Sequence, residues 1–387
     1  MKALTTLDYA VVLGSIAFIF FVAIWLAKRA ARGLESYFLG GRNLPWYLLG
    51  VSGMSAWFDL AGTMIITSFL FLMGPSGLFI EFRGGAVLIL AFMMAFTGKW
   101  NRRSGCMTVA EWMTYRFGTT ASAETVRALF AVVGVITSIG WMAYVVRGAT
   151  LFMGMVFPFD PVLVTVGVLG LAALYTIFAG FLGVVLSDFV MGAIMIAACI
   201  VVASVAWMAF PDAPTIRDTA LAATGNPRWI SSMPAWHQPM PEGYGAYEFV
   251  VLAALFYLVR HTLGGLTSGA DPHFYAAKNP REASLQCLVQ GVTIMFRWPM
   301  MIGFALLGLL VVAQSVPDPN AIFRARDAIS AAYPGLSKSD WHNKTAAIAQ
   351  GREEVSASLA TGLESSLGPS WREALFLVGH AGNVNPE

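Results

Sequence analysis

The stretch WYLLGVSGMSAWFDLAGTMIITSFLFLMG, residues 46–74, decides how this chain is read. It is apolar along its length, with small and polar residues gathered in its first half. Continuous helix over roughly 28 residues would reach about 42 Å, against a hydrocarbon core of about 30 Å. The segment must tilt, unwind or protrude. The run Gly-Val-Ser-Gly-Met-Ser-Ala at 50–56 predicts an interruption, because Gly costs about 1 kcal/mol in a helix and Ser competes for backbone bonds. Asp59 follows closely. An acid at mid-bilayer costs about 2.5–3.5 kcal/mol on insertion scales, so it needs a partner, a cavity or an ion. Carbonyls freed by a break beside a carboxylate suit a small cation. A second reading stays open, in which the small residues let this helix approach its neighbours closely.

The rest of the chain has the same character. Of 387 residues, 57% are hydrophobic and 12% charged, and the mean hydropathy is +0.67. Soluble domains average about 25% charged residues, so this is an all-α polytopic membrane protein with the lipid bilayer as its first partner. Cys106, Cys199 and Cys287 lie far apart and offer neither a disulfide framework nor metal-ligand spacing. The opening residues lack the basic start and small-residue cleavage site of a signal peptide and read as a retained span. Apolar windows of spanning length fall at 8–27, 46–73, 79–98, 128–155, 161–182, 184–209, 246–268 and 285–313, which predicts about eight transmembrane helices. Basic clusters sit around Lys28 to Arg42, Lys99 to Arg103, Arg116, and Lys278 to Arg281. Neighbouring clusters are separated by an even number of windows or by none. The positive-inside rule then places all of them in the cytoplasm of a plasma or inner membrane protein, with the N-terminus outside.

Residues 108–116 are too short to span and are expected to lie along the cytoplasmic interface. Gly180 and Gly183 predict a tight turn between the fifth and sixth windows. From 316 to 373 the chain turns polar, an external loop or small subdomain, and the apolar start at 374–378 reads as a span that never completes. The expected division is a membrane transporter domain at 1–315 and this external portion at 316–387. No nucleophile, resident-metal or phosphate-loop constellation occurs, so neither an enzyme nor a cofactor is expected, and no nucleic-acid partner. His237, His342 and His380 carry no ligand spacing, and Gly84-Gly85 and Gly264-Gly265 read as packing or hinge glycines.

Four stretches in order, SYFLGGRNLPWYLLGVSGMSAW, MTVAEWMTYRFG, LYTIFAGFLGVVLSDFVMGAIM and AAKNPREA, resemble the sodium:solute symporter family, which includes sodium/glucose, sodium/proline and sialic acid symporters. The resemblance covers about residues 5–315. It implies a LeuT-like inverted-repeat (5+5) transporter fold with an extra N-terminal helix and an incomplete second repeat. Ligand sites in such folds lie at mid-membrane beside broken helices. It also implies Na+ as coupling ion and a small organic solute as partner. By position, the family's sodium site would take the carbonyls of Val51 and Met54. Its hydroxyl ligands belong to a later core helix, so this chain is expected to offer a half-site. Asp188 matches a family Asp implicated in sodium exit; it could equally be an ordinary interfacial acid. Pro272-His273 stands where the family usually has Gln-Arg, and Gly53 where proline transporters carry Asp.

The candidate solute ligands are Ser55, Trp57, Asp59, Glu81, Trp141, Arg260 and His261. Arg260 and His261 sit deep in an apolar window, where Arg could bind a carboxylate-bearing solute through its planar fork. Alternatively, Arg260 pairs with Asp59 or Glu81 to neutralise both charges. Glu81 and Arg83 could form an outer gate or a local pair. Trp57, Phe58, Trp141 and Tyr144 could stack on a solute or simply pack. Arg297, beside Pro299 at an expected kink, has no assigned role. The reading is a sodium-coupled symporter working by alternating access; the alternative is a non-transporting membrane sensor module or an inactive fragment of a symporter.

Overall fold

Thr5 and Asp8 cap the first helix reciprocally: the Thr5 amide donates to Asp8 Oδ2 (2.7 Å) and the Asp8 amide to Thr5 Oγ1 (3.4 Å). From that cap α1 runs Thr6–Ala30. The computed structural model describes residues 5–83, 86–157, 159–210, 212–238, 240, 244–267, 271–316, 319–382 and 384. The chain continues with α2 (Leu34–Leu39), α3 (Trp46–Trp57), α4 (Leu60–Met73), α5 (Ala86–Phe92), α6 (Gly98–Ser104), α7 (Val109–Phe117), α8 (Ala121–Val156) and α9 (Pro161–Ala209). Then come α10 (Ala213–Thr224), α11 (Val250–Thr267), α12 (Pro272–Ala276), α13 (Pro280–Ile294) and α14 (Arg297–Ser315). The last helices are α15 (Pro319–Ala332), α16 (Lys338–Ala349), α17 (Ala357–Leu367) and α18 (Trp371–Ala374).

The break in the 46–74 stretch is real, but it is not at Gly50 to Ala56. α3 is helical through that run and stops at Trp57; Phe58 leaves the helix (φ −87°, ψ 69°), and Asp59 caps α4 by accepting the Gly62 amide on Oδ2 (2.8 Å). The small residues serve packing instead. A Cβ at Gly50 would lie 2.6 Å from the Val289 side chain, and one at Gly53 2.9 Å from that of Gln290, so α13 sits directly on this face. Gln290 Nε2 donates to the Gly53 carbonyl (3.0 Å). The Glu282 carboxylate, also on α13, accepts the first free amide of α3, that of Trp46 (2.8 Å). Close packing thus overrides the local propensity of Gly and Ser.

The expected turn between the fifth and sixth windows contracts to one residue. Gly180 (φ 57°, ψ −166°) breaks what is otherwise one helical run, α9, while Gly183 stays helical and packs on Ala179. Between α13 and α14 there is only a turn at Met295 (φ −64°, ψ −23°) and Phe296 (φ −61°, ψ −19°), both still in the right-handed helical region, immediately before Arg297. The 79–98 window is also interrupted, by 3₁₀ turns over Gly74–Arg83 and a π turn over Met93–Thr97.

Five helical runs among the described residues are long and apolar enough to cross a bilayer: Thr6–Arg29, Leu60–Glu81, Ala121–Val156, Pro161–Ala209 and Pro280–Ser315. On α8, Val132, Val135, Ile136 and Ile139 point outward, as lipid-facing residues do. One apolar cluster joins α4 to α14 through Phe69, Leu70, Met301, Ala305 and Leu309. Another gathers Leu39, Leu49, Phe274, Tyr275 and Cys287 near the basic turns, where Arg102 donates to the carbonyls of Ala277 and Lys278 and Arg42 to that of Gly105 (2.7 Å). We call this the basic end.

Residues 319–378 build a separate apolar cluster around Ile322, Ile329, Trp341, Ile348, Leu363 and Leu375. The 374–378 stretch, expected as the start of a span, instead enters this cluster: Ala374, Leu375 and Val378 are buried there and the Val378 carbonyl accepts the Trp341 indole N–H (2.9 Å).

Candidate functional site

Two polar clusters flank the end of α3. The first is at the break itself. Arg297, at the start of α14, is buried and lies between two carboxylates, with Nη1 3.8 Å from Asp59 Oδ1 and Nη2 3.7 Å from Glu81 Oε2. It donates a hydrogen bond to the Trp57 carbonyl (3.3 Å), released where α3 ends, and its guanidinium lies 5.8 Å from the centre of the Phe58 ring. Tyr144 of α8 donates to Asp59 Oδ2 (3.0 Å). Asp59 is thus met by a helix N-terminus, a phenol and a guanidinium together. Glu81 Oε2 is buried and has no hydrogen bond among the described residues. Neither ion pair is close enough for a hydrogen bond; Arg297 Nε donates to Met301 Sδ (3.5 Å) and Nη1 to the Trp57 carbonyl, and the acceptor Oε2 of Glu81 stays open to a ligand.

The second cluster lies on α3 towards the basic end. Ser52 Oγ donates to Asp188 Oδ2 (2.8 Å) and is 3.0 Å from His273 Nε2; His273 Nδ1 is 2.5 Å from Asp271 Oδ1. Ser55 Oγ donates to the carbonyls of Val51 (3.1 Å) and Asp188 (3.0 Å). Ser52 is fully buried and His273 nearly so. Asp271 and His273 lie in the connection between α11 and α13, outside the spanning helices. Burial opposes the charge of each, but their mutual attraction outweighs it. Asp271 is held below the usual carboxylate range and His273 above its ordinary value.

The structure brings together some of the sequence candidates and separates others. Asp59, Glu81 and Trp57 converge on Arg297; Ser55, Val51 and Asp188 meet in the second cluster. The charge partner of Asp59 and Glu81 is Arg297, not Arg260. Arg260 lies on the exposed face of α11, and His261, buried beside it, stacks on Tyr257 (ring centres 6.4 Å apart, 25° between planes). Trp141 is exposed on α8 and touches the cluster's Tyr144 (ring centres 5.3 Å apart). The half-site expected at Val51 and Met54 is not an unwound loop. The Val51 carbonyl lies inside continuous helix, whereas the Phe58 amide bonds Ser55 rather than Met54, which loosens the turn at Met54. The side chain of Arg83 lies outside the described residues. Sequence reasoning missed Ser52, Asp271 and the pairing of His273, and gave Arg297 no role; the signal for Arg297 was an unexplained charge in an apolar window.

The sequence profile of the Sodium:solute symporter family matches residues 37–348, most of the chain. This chain belongs to that family. Sodium/glucose cotransporter 4 of Danio rerio is 29% identical over 208 residues, 52% of this chain and 30% of that protein. The osmoregulated proline transporter OpuE of Bacillus subtilis is 31% identical over 202 residues, 49% of this chain and 39% of that protein. The aligned region therefore spans well under half the length of these relatives. A Na+-coupled sialic acid symporter, solved in a substrate-bound outward-open state, matches the fold with a TM-score of 0.65 at 15% sequence identity, covering 96% of this chain and 71% of that one. The fold of that structure is thus shared over nearly the whole chain, and both polar clusters lie within residues 37–348.

Proposed function

We propose that this member of the family works as a sodium-coupled symporter that moves a small polar solute by alternating access, and that the solute binds at the break between α3 and α4. The observation that carries this reading is Arg297, buried between Asp59 and Glu81, with the Oε2 acceptor of Glu81 unused among the described residues. A charged triad in an apolar interior is costly unless the site has work to do. The cluster suits a solute with acceptor groups for Arg297 and donor groups for Glu81. Phe58 and Trp57 supply apolar walls. The carbonyls at the loosened end of α3, that of Met54 first, would face the cation, and Asp188 would attract it on its way out at the basic end. Coupling follows if sodium stabilises the conformer that the solute then occupies.

The test is solute uptake by proteoliposomes containing the full chain, across a panel of amino acids, polyols and sugars, with an inward sodium gradient or with potassium in its place. Saturable uptake that needs sodium and is lost in Glu81→Gln supports the proposal. Uptake indifferent to sodium, or to Glu81→Gln and Arg297→Lys alike, would refute the ion coupling or the site respectively.

A further inference from the structure

The cluster around Ser52 fixes a proton count. Ser52 has one hydroxyl proton, which goes to Asp188 Oδ2, so toward His273 Nε2 its oxygen accepts. The other ring nitrogen lies 2.5 Å from Asp271 Oδ1, a contact that a nitrogen and a carboxylate oxygen make with a proton between them. With both carboxylates ionised, all three contacts hold together when the imidazole carries both of its N–H protons. Moving the extra proton to Asp188, which would donate to Ser52 and so turn Ser52 toward a neutral Nε2, leaves the count unchanged. So does moving it to Asp271. The closed network therefore contains one proton more than neutral His273 with two carboxylates. In that deprotonated state Asp188 and Nε2 compete for the single hydroxyl proton of Ser52.

These contacts join three elements, α3, α9 and α12, at the basic end, and Phe181 of α9 closes edge-on against the imidazole (5.3 Å). The ionisable groups on the surrounding elements are mostly engaged elsewhere. On α6, Arg102 is held by the carbonyls of Ala277 and Lys278, with Lys99 and Arg103 on the same helix. Arg42 pairs with Glu35 of α2 (2.8 Å). On α13, Glu282 takes the Trp46 amide, near Arg281 and Cys287. Tyr47 of α3 lies against Phe189 (6.4 Å); α9 adds Tyr175 and Cys199, and α12 itself Tyr275. The charges that act on His273 are those of Asp271 and Asp188.

We propose that Ser52, Asp188, His273 and Asp271 form a proton-binding site whose proton latches α3, α9 and α12 together at the basic end. What the latch gates rests on the transport reading, since release of the proton would free the end through which cation and solute leave; the proton site itself rests on the geometry alone.

The experiment uses the full chain in lipid nanodiscs without sodium or solute. The ¹⁵N imidazole signal absent from His273→Gln identifies His273. It should remain doubly protonated to a pH above the ordinary histidine value of about 6.5. Hydrogen exchange of the α3 and α9 segments around Ser52 and Asp188, corrected for intrinsic rate, should lose protection as pH rises, by up to about tenfold per pH unit for one linked proton. In His273→Gln that pH dependence should vanish. Ser52→Ala, a small change that removes the bridge, should bring the imidazole transition down toward the ordinary value, and it carries the test if His273→Gln does not fold. A neutral His273 throughout pH 5–8, or an imidazole transition unmoved in Ser52→Ala, would overturn the proposal. Neither readout uses transport, so failure here leaves the symport reading standing, and absence of sodium-dependent uptake leaves the proton site standing.

Discussion

Replacing Arg297 with Ala removes the cation from between Asp59 and Glu81. At 3.8 and 3.7 Å, each pair is worth about 4 kcal/mol of gross attraction at an effective dielectric of about 20. Desolvation of the guanidinium offsets much of that sum, and truncating one partner of a buried pair costs about 3–5 kcal/mol because a charge is left uncompensated. We expect Arg297→Ala to lose stability in that range, measured by tryptophan fluorescence during unfolding of the detergent-solubilised chain with dodecyl sulfate. The two carboxylates should not be equal in rescue. Asp59 keeps the Gly62 amide and the Tyr144 hydroxyl after Arg297 is gone, whereas Glu81 is left with the Trp298 side chain and an Oε2 that has no hydrogen bond among the described residues. Glu81→Gln in the Arg297→Ala background should therefore recover more than Asp59→Asn does, with an interaction energy of about 1–3 kcal/mol for the Glu81 cycle. If the Glu81 double variant costs the plain sum of its singles, Arg297 and Glu81 are not coupled and the three charges do not act as one site.

Gly180→Ala should destabilise by about 1–3 kcal/mol in the same unfolding assay, since φ 57° with ψ −166° is a conformation that side-chain-bearing residues avoid; a change under 0.5 kcal/mol would show that α9 does not depend on this turn. Trp229→Phe removes the indole donor to the Phe71 carbonyl at the end of α4 (2.8 Å). Leaving that buried acceptor unmet costs about 1–3 kcal/mol, so amides over the last turn of α4 should exchange faster, and unchanged exchange there would count against Trp229 as a cap of α4.

Much of the fold could be read from local sequence. Hydropathy located the apolar helices, Gly180 marked its turn, and the four matching stretches pointed to the family now shown over residues 37–348. At the site, Asp59 was legible because an acid in an apolar window always demands compensation. What compensates it was not. Arg297 donates to a carbonyl 240 positions away, and nothing in either segment names the other. The placement of the break failed for a related reason: Gly50 and Gly53 carry a weak intrinsic preference against helix, while their contact with α13 is a property of two helices together. His273 looked like an isolated departure from a family pattern until Ser52, Asp188 and Asp271 surrounded it. The sequence by itself determined that the chain is rich in apolar helices of spanning length and which residues are too polar to sit among them without partners, since both follow from transfer free energies summed residue by residue. Tertiary structure alone decided which polar groups meet, because hydrogen bonds and ion pairs depend on distances of about 3–4 Å that only the packing of distant helices sets.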